Sequence, residues 1–132
     1  MKIKKQNLEI LLKLLNLTTP KFVEARLRDR FLKGLTTEYK TFEVERIKIC
    51  EAFADKDPKT KKSIMENNHY KFSEKNLEKF KKEYFILIEE EVKLKLDAGE
   101  ASRLIKLIES TSYTPKPGEA EMIDTEIIAN IK

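Results

Sequence analysis

The sequence predicts a mainly α-helical domain built on one long helix, with a small two- or three-stranded β element. Three observations carry this. From Pro20 to Asp55, the apolar side chains Val23, Leu27, Phe31, Leu35, Tyr39, Phe42, Ile49 and Phe53 recur in steps of three, four and seven. That spacing puts them on one helical face, which Leu32, Ile47 and Cys50 widen into a stripe. Two short segments, Tyr70 to Phe72 and Val92 to Leu96, alternate apolar with lysine in the period of a strand. The three glycines stand singly at 34, 99 and 118, too few for a β-sandwich or a glycine-lined phosphate loop.

Taken in order, residues 6 to 17 form the first helix, with Leu8, Leu11, Leu12, Leu15 and Leu17 on the helical repeat and Ile10 and Leu14 broadening it. Pro20 turns the chain, and Thr18 or Thr19 is placed to cap the long helix behind it. Gly34, followed by Leu35, Thr36 and Thr37, marks a site for a bend, but the apolar register continues on either side, so one helix is expected. Asp57-Pro58 within a lysine-rich segment signals a turn. Ile64 to Met65 and Tyr70 to Phe72 then suit the arms of a short hairpin turned at Asn67-Asn68, since asparagine tolerates positive φ.

Ser73 caps a helix from Glu74 to about Glu91, with Leu77, Phe80, Tyr84, Leu87 and Ile88 buried and Phe85 and Ile86 extending the apolar face. Val92, Leu94 and Leu96 form a strand that could pair with Tyr70 to Phe72. After a turn at Asp97 to Gly99, a short helix spans Ala101 to Ser110. Residues 112–118, with Pro115 and Pro117, link a single domain over 1–132 to a C-terminal amphipathic helix from Glu119 to Ile131. That helix sets Met122, Ile123, Ile127 and Ile131 on one side, either to close the core or to associate with a second molecule.

Composition narrows the function. With 40% hydrophobic and 38% charged residues, the chain suits long amphipathic helices and not disorder. No apolar run is long enough to span a membrane, and the lysines at the start lead into a helix interrupted by Glu9 and Lys13, so no signal peptide or membrane partner is expected and the location is the cytoplasm. Cys50 is the only cysteine, so there is no internal disulfide, and its place on the stripe makes it a small buried hydrophobe. The net charge of +4 is unevenly spread, with a basic first half and an acidic tail that could steer a nucleic acid, steer an acidic protein, or pair with each other in a homo-oligomer.

Nothing in the sequence assembles a catalytic constellation. His69, the only histidine, has no nucleophile patterned around it, so no enzyme activity, cofactor or metal is expected. Glu89, Glu90 and Glu91 do not make a metal site, because consecutive helical residues diverge by about 100°. Binding remains. Arg26 and Arg30 are one turn apart and with Lys33 could hold carboxylate or phosphate, although Asp29 dilutes the patch, no aromatic interleaves it, and a solvated face is the better account. Lys61, Lys62, His69, Tyr70 and Lys71 form a smaller basic and aromatic group around the hairpin, the best place for nucleic acid.

The segments MKIKKQNLEILLKLLNL, FEVERIKICEAFADKD and HYKFSEKNLEKFKKEYFILIEEEVKL, through Glu45, Arg46, Lys48, Asp55, Lys56, Asp57, Leu77, Phe80, Glu91, Val92 and Leu94, resemble a family of small bacteriophage proteins of unknown function. The resemblance covers roughly residues 1 to 96 and implies a phage or prophage origin, with no activity attached. The expectation is a non-enzymatic viral accessory protein that binds a protein partner, foremost as an inhibitor of a host enzyme or defence complex. A virion structural or assembly protein and a nucleic-acid binding protein are the alternatives.

Overall fold

A computed structural model describes residues 1–131. The order of elements is β1 (Lys2–Lys4), one 3-10 turn (Lys5–Asn7), α1 (Leu8–Asn16), α2 (Phe22–Phe53), β2 (Met65–Glu66), β3 (His69–Tyr70), α3 (Glu74–Glu89), β4 (Glu91–Lys93) and α4 (Ala98–Glu109). A final helical stretch comprises α5 (Glu119–Met122), a π turn (Ile123–Ile128) and α6 (Ala129–Ile131). The fold is mainly α, as the periodicity predicts. The chain forms two compact units: residues Met1–Lys40 with the chain from Glu91 onward, and Thr41–Glu90.

In the first unit, β1 and β4 are antiparallel with Ile3 opposite Val92. Both side chains are buried, and the flanking lysines and Glu91 at Lys2, Lys4, Lys93 and Glu91 make the alternation that a half-buried strand requires. Leu94 N–H donates to Met1 O at 3.0 Å and lengthens the ladder. This corrects the expected pairing of the 92–96 strand with Tyr70 to Phe72. Its partner is Lys-Ile-Lys at the start of the chain, three residues whose alternation is too short to stand out beside the leucine helix that follows.

The core of this unit joins Leu8, Leu11, Leu14 and Leu15 of α1 to Leu27, Phe31 and Leu35 of α2 and to Ala101, Leu104, Leu107 and Ile108 of α4. Burial on α2 begins at Leu27, so Val23, expected on the buried face, is exposed. Thr18 does not stand at the N-cap of α2, which begins at Phe22. It is buried at the corner, its hydroxyl donating to Leu15 O at 2.6 Å. α4 starts three residues before the expected Ala101, because Asp97 accepts from Glu100 N–H at 2.7 Å while the Glu100 carboxylate accepts from Asp97 N–H, a reciprocal cap that overrides Gly99.

The terminal stretch turns its apolar side inward: Ile123, Ile127, Ile128 and Ile131 are all buried and Met122 is half-buried. The wider π turn brings Ile128 into line with Ile123, a position that a regular helix would swing away from that face. The π turn and α6 lie against β1. Asn7 Nδ2, on a buried side chain, donates to Glu126 Oε2 at 2.8 Å and adds a polar tie between the two ends of the unit.

The second unit contains the last part of α2, the β2–β3 hairpin and α3. The hairpin pairs Met65 with Tyr70 and Glu66 with His69. Asn67 (φ 49°) and Asn68 (φ 64°) both adopt the left-handed conformation of a tight two-residue turn, which two asparagines tolerate better than most residues. A bridge between Lys56 and Ser63 adds a third extended segment. Asp55 ties the unit together. Its Oδ1 accepts from Ser73 N–H at 3.0 Å and Asn76 Nδ2 at 2.9 Å, its N–H donates to Lys71 O, and its carbonyl accepts from Ile64 N–H.

Phe72, Phe80 and Tyr84 stack in sequence, with centroids 4.7 and 5.4 Å apart. Two expectations about this unit's apolar face need correction. Phe85 and Ile86 are exposed, since each step of 100° carries them to either side of the stripe that Leu77, Phe80, Tyr84 and Leu87 define. Ile47 is exposed for the same reason. Cys50 is buried, and burial pushes its thiol pKa up.

Candidate functional site

The first two turns of α2 and the first turns of α4 in the first unit enclose an open groove of about 530 Å³. Arg26, Arg30 and Arg103 line it together with Asp29, Glu100 and Val23. Helical spacing sets the α2 side: Arg26 and Arg30 are one turn apart, with Phe22 one turn before them. The α4 side follows from the cap. Glu100 closes the cap with one carboxylate oxygen and reaches Arg30 Nη2 with the other. Arg103, one turn further, stands 3.4 Å from Glu24 Oε1 through its Nε, an ion-pair distance without hydrogen-bond geometry.

Arg28 lies on another side of α2, donating to Thr18 O at 2.9 Å and to Asp29 at 3.0 Å, so it holds the α1–α2 corner. Arg26 forms no hydrogen bond or ion pair among the described residues. Beside these cations the helix opens with two large apolar side chains in water, Phe22 at 77% and Val23 at 61% exposure. A groove with guanidinium forks, carboxylates that orient them and an apolar lip can hold a carboxylate and an apolar side chain at once.

No family model, curated protein or solved structure matches this chain.

Of the residues singled out in the sequence, Arg26 and Arg30 come together with the α4 residues in the groove. Lys33 is exposed on the same helix but does not line it. Lys61, Lys62, His69, Tyr70 and Lys71 belong to the second unit, where they are mixed with carboxylates. Lys71 lies 3.4 Å from Glu66, and Tyr70 donates to Glu51 at 3.4 Å, burial first and Glu51 second raising the phenol pKa. Asp57 accepts from Lys59 and Thr60 N–H groups, which lower its pKa and keep it charged within the lysine loop. Ile123, Ile127 and Ile131 lie in the core of the first unit.

Sequence reasoning missed Phe22, Arg103 and Glu100. Phe22 falls one residue outside the stripe, and the other two reach the groove only because α4 packs beside α2. A second feature of the same unit also went unread. A groove of about 190 Å³ lies over the residue 112–118 segment, with Tyr113, Pro115, Ile123 and Ile128 in its walls and Glu109 and Asp124 at its rim. The Tyr113 hydroxyl donates to Glu119, which raises the phenol pKa and lowers that of the carboxylate, and the Lys13 ammonium sits 5.0 Å from the ring centroid. Among the described residues no group of His, Cys, Asp and Glu is placed to hold a metal, and no helix is long and apolar enough to cross a membrane.

Proposed function

We propose that this protein acts without catalysis, by docking a protein partner through the face of α2 that carries Phe22, Val23, Arg26 and Arg30. One observation supports the reading above others. The chain has five arginines against 22 lysines, yet three of the five line a single groove beside two exposed apolar side chains. Solubility is served as well by lysine. Arginine and aromatic residues are enriched where proteins meet, and lysine is depleted there.

A nucleic acid fits this face less well. Its affinity grows with the excess of cations over anions, and here Glu24, Asp29 and Glu100 match Arg26, Arg30 and Arg103 one for one. The basic group of the second unit is diluted in the same way by Asp55, Asp57 and Glu66. On the resemblance to small bacteriophage proteins, the partner is a host enzyme or defence complex that this protein inhibits in the bacterial cytoplasm. A structural or assembly role in the virion is the second reading, favoured by the acidic groove at Glu109 and Asp124, which complements the charge of Arg26.

The test is capture from bacterial lysate with the full chain and with an Arg26→Glu, Arg30→Glu variant, circular dichroism serving to show that both fold. A captured protein that the variant loses, in nuclease-treated lysate, is the expected result. Capture that persists in the variant, or that vanishes with nuclease, refutes docking of a protein at this face.

A further inference from the structure

We infer that the occupant of the α2 face is a second copy of this chain, with Phe22 entering the groove at Tyr113 and Ile123 and Arg26 meeting Glu109 and Asp124. The inference rests on the proposal that the α2 face is a docking surface; it takes up the assembly reading of that face and sets a second copy there in place of a host protein. Size is the first argument. At about 190 Å³ the groove is smaller than the 300–1,000 Å³ usual for a small-molecule site, and suits one large side chain. Its walls, Tyr113, Pro115, Ile123 and Ile128, are apolar or aromatic. Phe22 is the most exposed large apolar side chain described, standing 77% in water at the very start of a helix where nothing in its own unit covers it.

Charge is the second argument. Arg26 is one helical turn after Phe22 and therefore beside it, and it has no partner among the described residues. Glu109 and Asp124 at the rim of the groove are likewise unpaired among the described residues. An anchor with an adjacent cation thus matches a groove with an adjacent pair of anions. Lys13 stands at the Tyr113 ring beside Glu119, which accepts from the Tyr113 hydroxyl, so Glu109 and Asp124 are left to meet the guanidinium. The two surfaces are different patches of one chain, which makes the contact heterologous: it closes as a ring or a reciprocal dimer, or else it propagates.

Sedimentation velocity on the full chain, from micromolar to millimolar protein, tests this with wild type, Phe22→Ala, Arg26→Glu and Asp124→Arg. All three positions are exposed, and circular dichroism verifies that each variant folds. Wild type is expected to associate, and each substitution to weaken association about thirtyfold, the loss typical of an interface anchor. An equimolar mixture of Arg26→Glu and Asp124→Arg should associate again, because the reversed charges pair across the contact. A wild type that remains monomeric throughout overturns the inference, as does association that the three substitutions leave intact. A monomeric chain that still captures another protein through Arg26 and Arg30 overturns the second copy as occupant and leaves the docking proposal standing.

Discussion

Replacing Ile127 by alanine should unfold the C-terminal segment from its unit, and the size of the effect follows from where the side chain sits. Ile127 is fully buried, with Ile123, Ile128 and Ile131 buried around it on the same inward side of the π turn. Removing most of its side chain forfeits about 2 kcal/mol of apolar burial. The cavity left behind adds to this at about 24 cal/mol per Å³, so the expected cost is about 3 kcal/mol, inside the range of roughly 2–5 kcal/mol for such truncations. For a unit of this size each kcal/mol lowers the melting temperature by about 4–8 °C, giving a fall of roughly 12–24 °C. The chain has no tryptophan, so the measurement is far-UV circular dichroism or calorimetry. Glu121→Gln, an exposed change on the same segment, serves as the control and should stay within about 0.5 kcal/mol of wild type. If Ile127→Ala melts with wild type, the stretch from Glu119 is not part of the core and the packing described for it is wrong.

Three further predictions concern other parts of the chain. Gly34→Ala should stabilise the protein by about 0.5–1 kcal/mol in chemical denaturation, because Gly34 lies within α2 and an added Cβ would make only ordinary contact, at 3.5 Å, with Leu94. The Asp55 carboxyl pKa is lowered by the Ser73 N–H and the Asn76 amide, so its contribution is complete above the ordinary carboxylate range and is lost as pH falls through and below that range. Protection of the hairpin amides, taken relative to the intrinsic exchange rate at each pH, should therefore fall in acid for wild type, and Asp55→Ala should show low protection already at neutral pH with little further change. Cys50, buried and with a raised thiol pKa, should resist alkylation at neutral pH until denaturant is added; prompt labelling of the native chain would contradict its placement.

What the sequence made legible is what depends on near neighbours. The leucine repeat of α1, the stripe of α2 from Leu27 and the Ser73 cap of α3 are written within a turn or two of themselves. So is the hairpin, since two adjacent asparagines suit a turn with positive φ at both positions. The Asp-x-x-Glu signal at Asp97 and Glu100 was also present, but Gly99 between them read as a turn; the reciprocal hydrogen bonds outweighed the cost of one glycine in the first turn. The pairing of β1 with β4 was not legible, because a three-residue strand carries almost no periodic signal and its partner lies some ninety residues away. The candidate site divides along the same line. Arg26 and Arg30 announce themselves by their spacing, whereas Glu100 and Arg103 join them only through the packing of another helix.

The β1–β4 ladder has a consequence for how the chain comes to be folded during synthesis. Residues Thr41–Glu90 are contiguous, so their hairpin and α3 can form as soon as they leave the ribosome. The other unit draws on both ends of the chain. Ile3 must wait for Val92, and the leucines of α1 for α4 and the isoleucines near the C-terminus, with the entropy of closing a loop of nearly ninety residues opposing the union. Until then the leucine-rich first helix is exposed in the nascent protein. A chaperone or a translation pause would therefore act on residues 8–16, and stabilising the intervening unit, which shortens the effective loop between β1 and β4, should speed the folding of the unit that holds both of those strands.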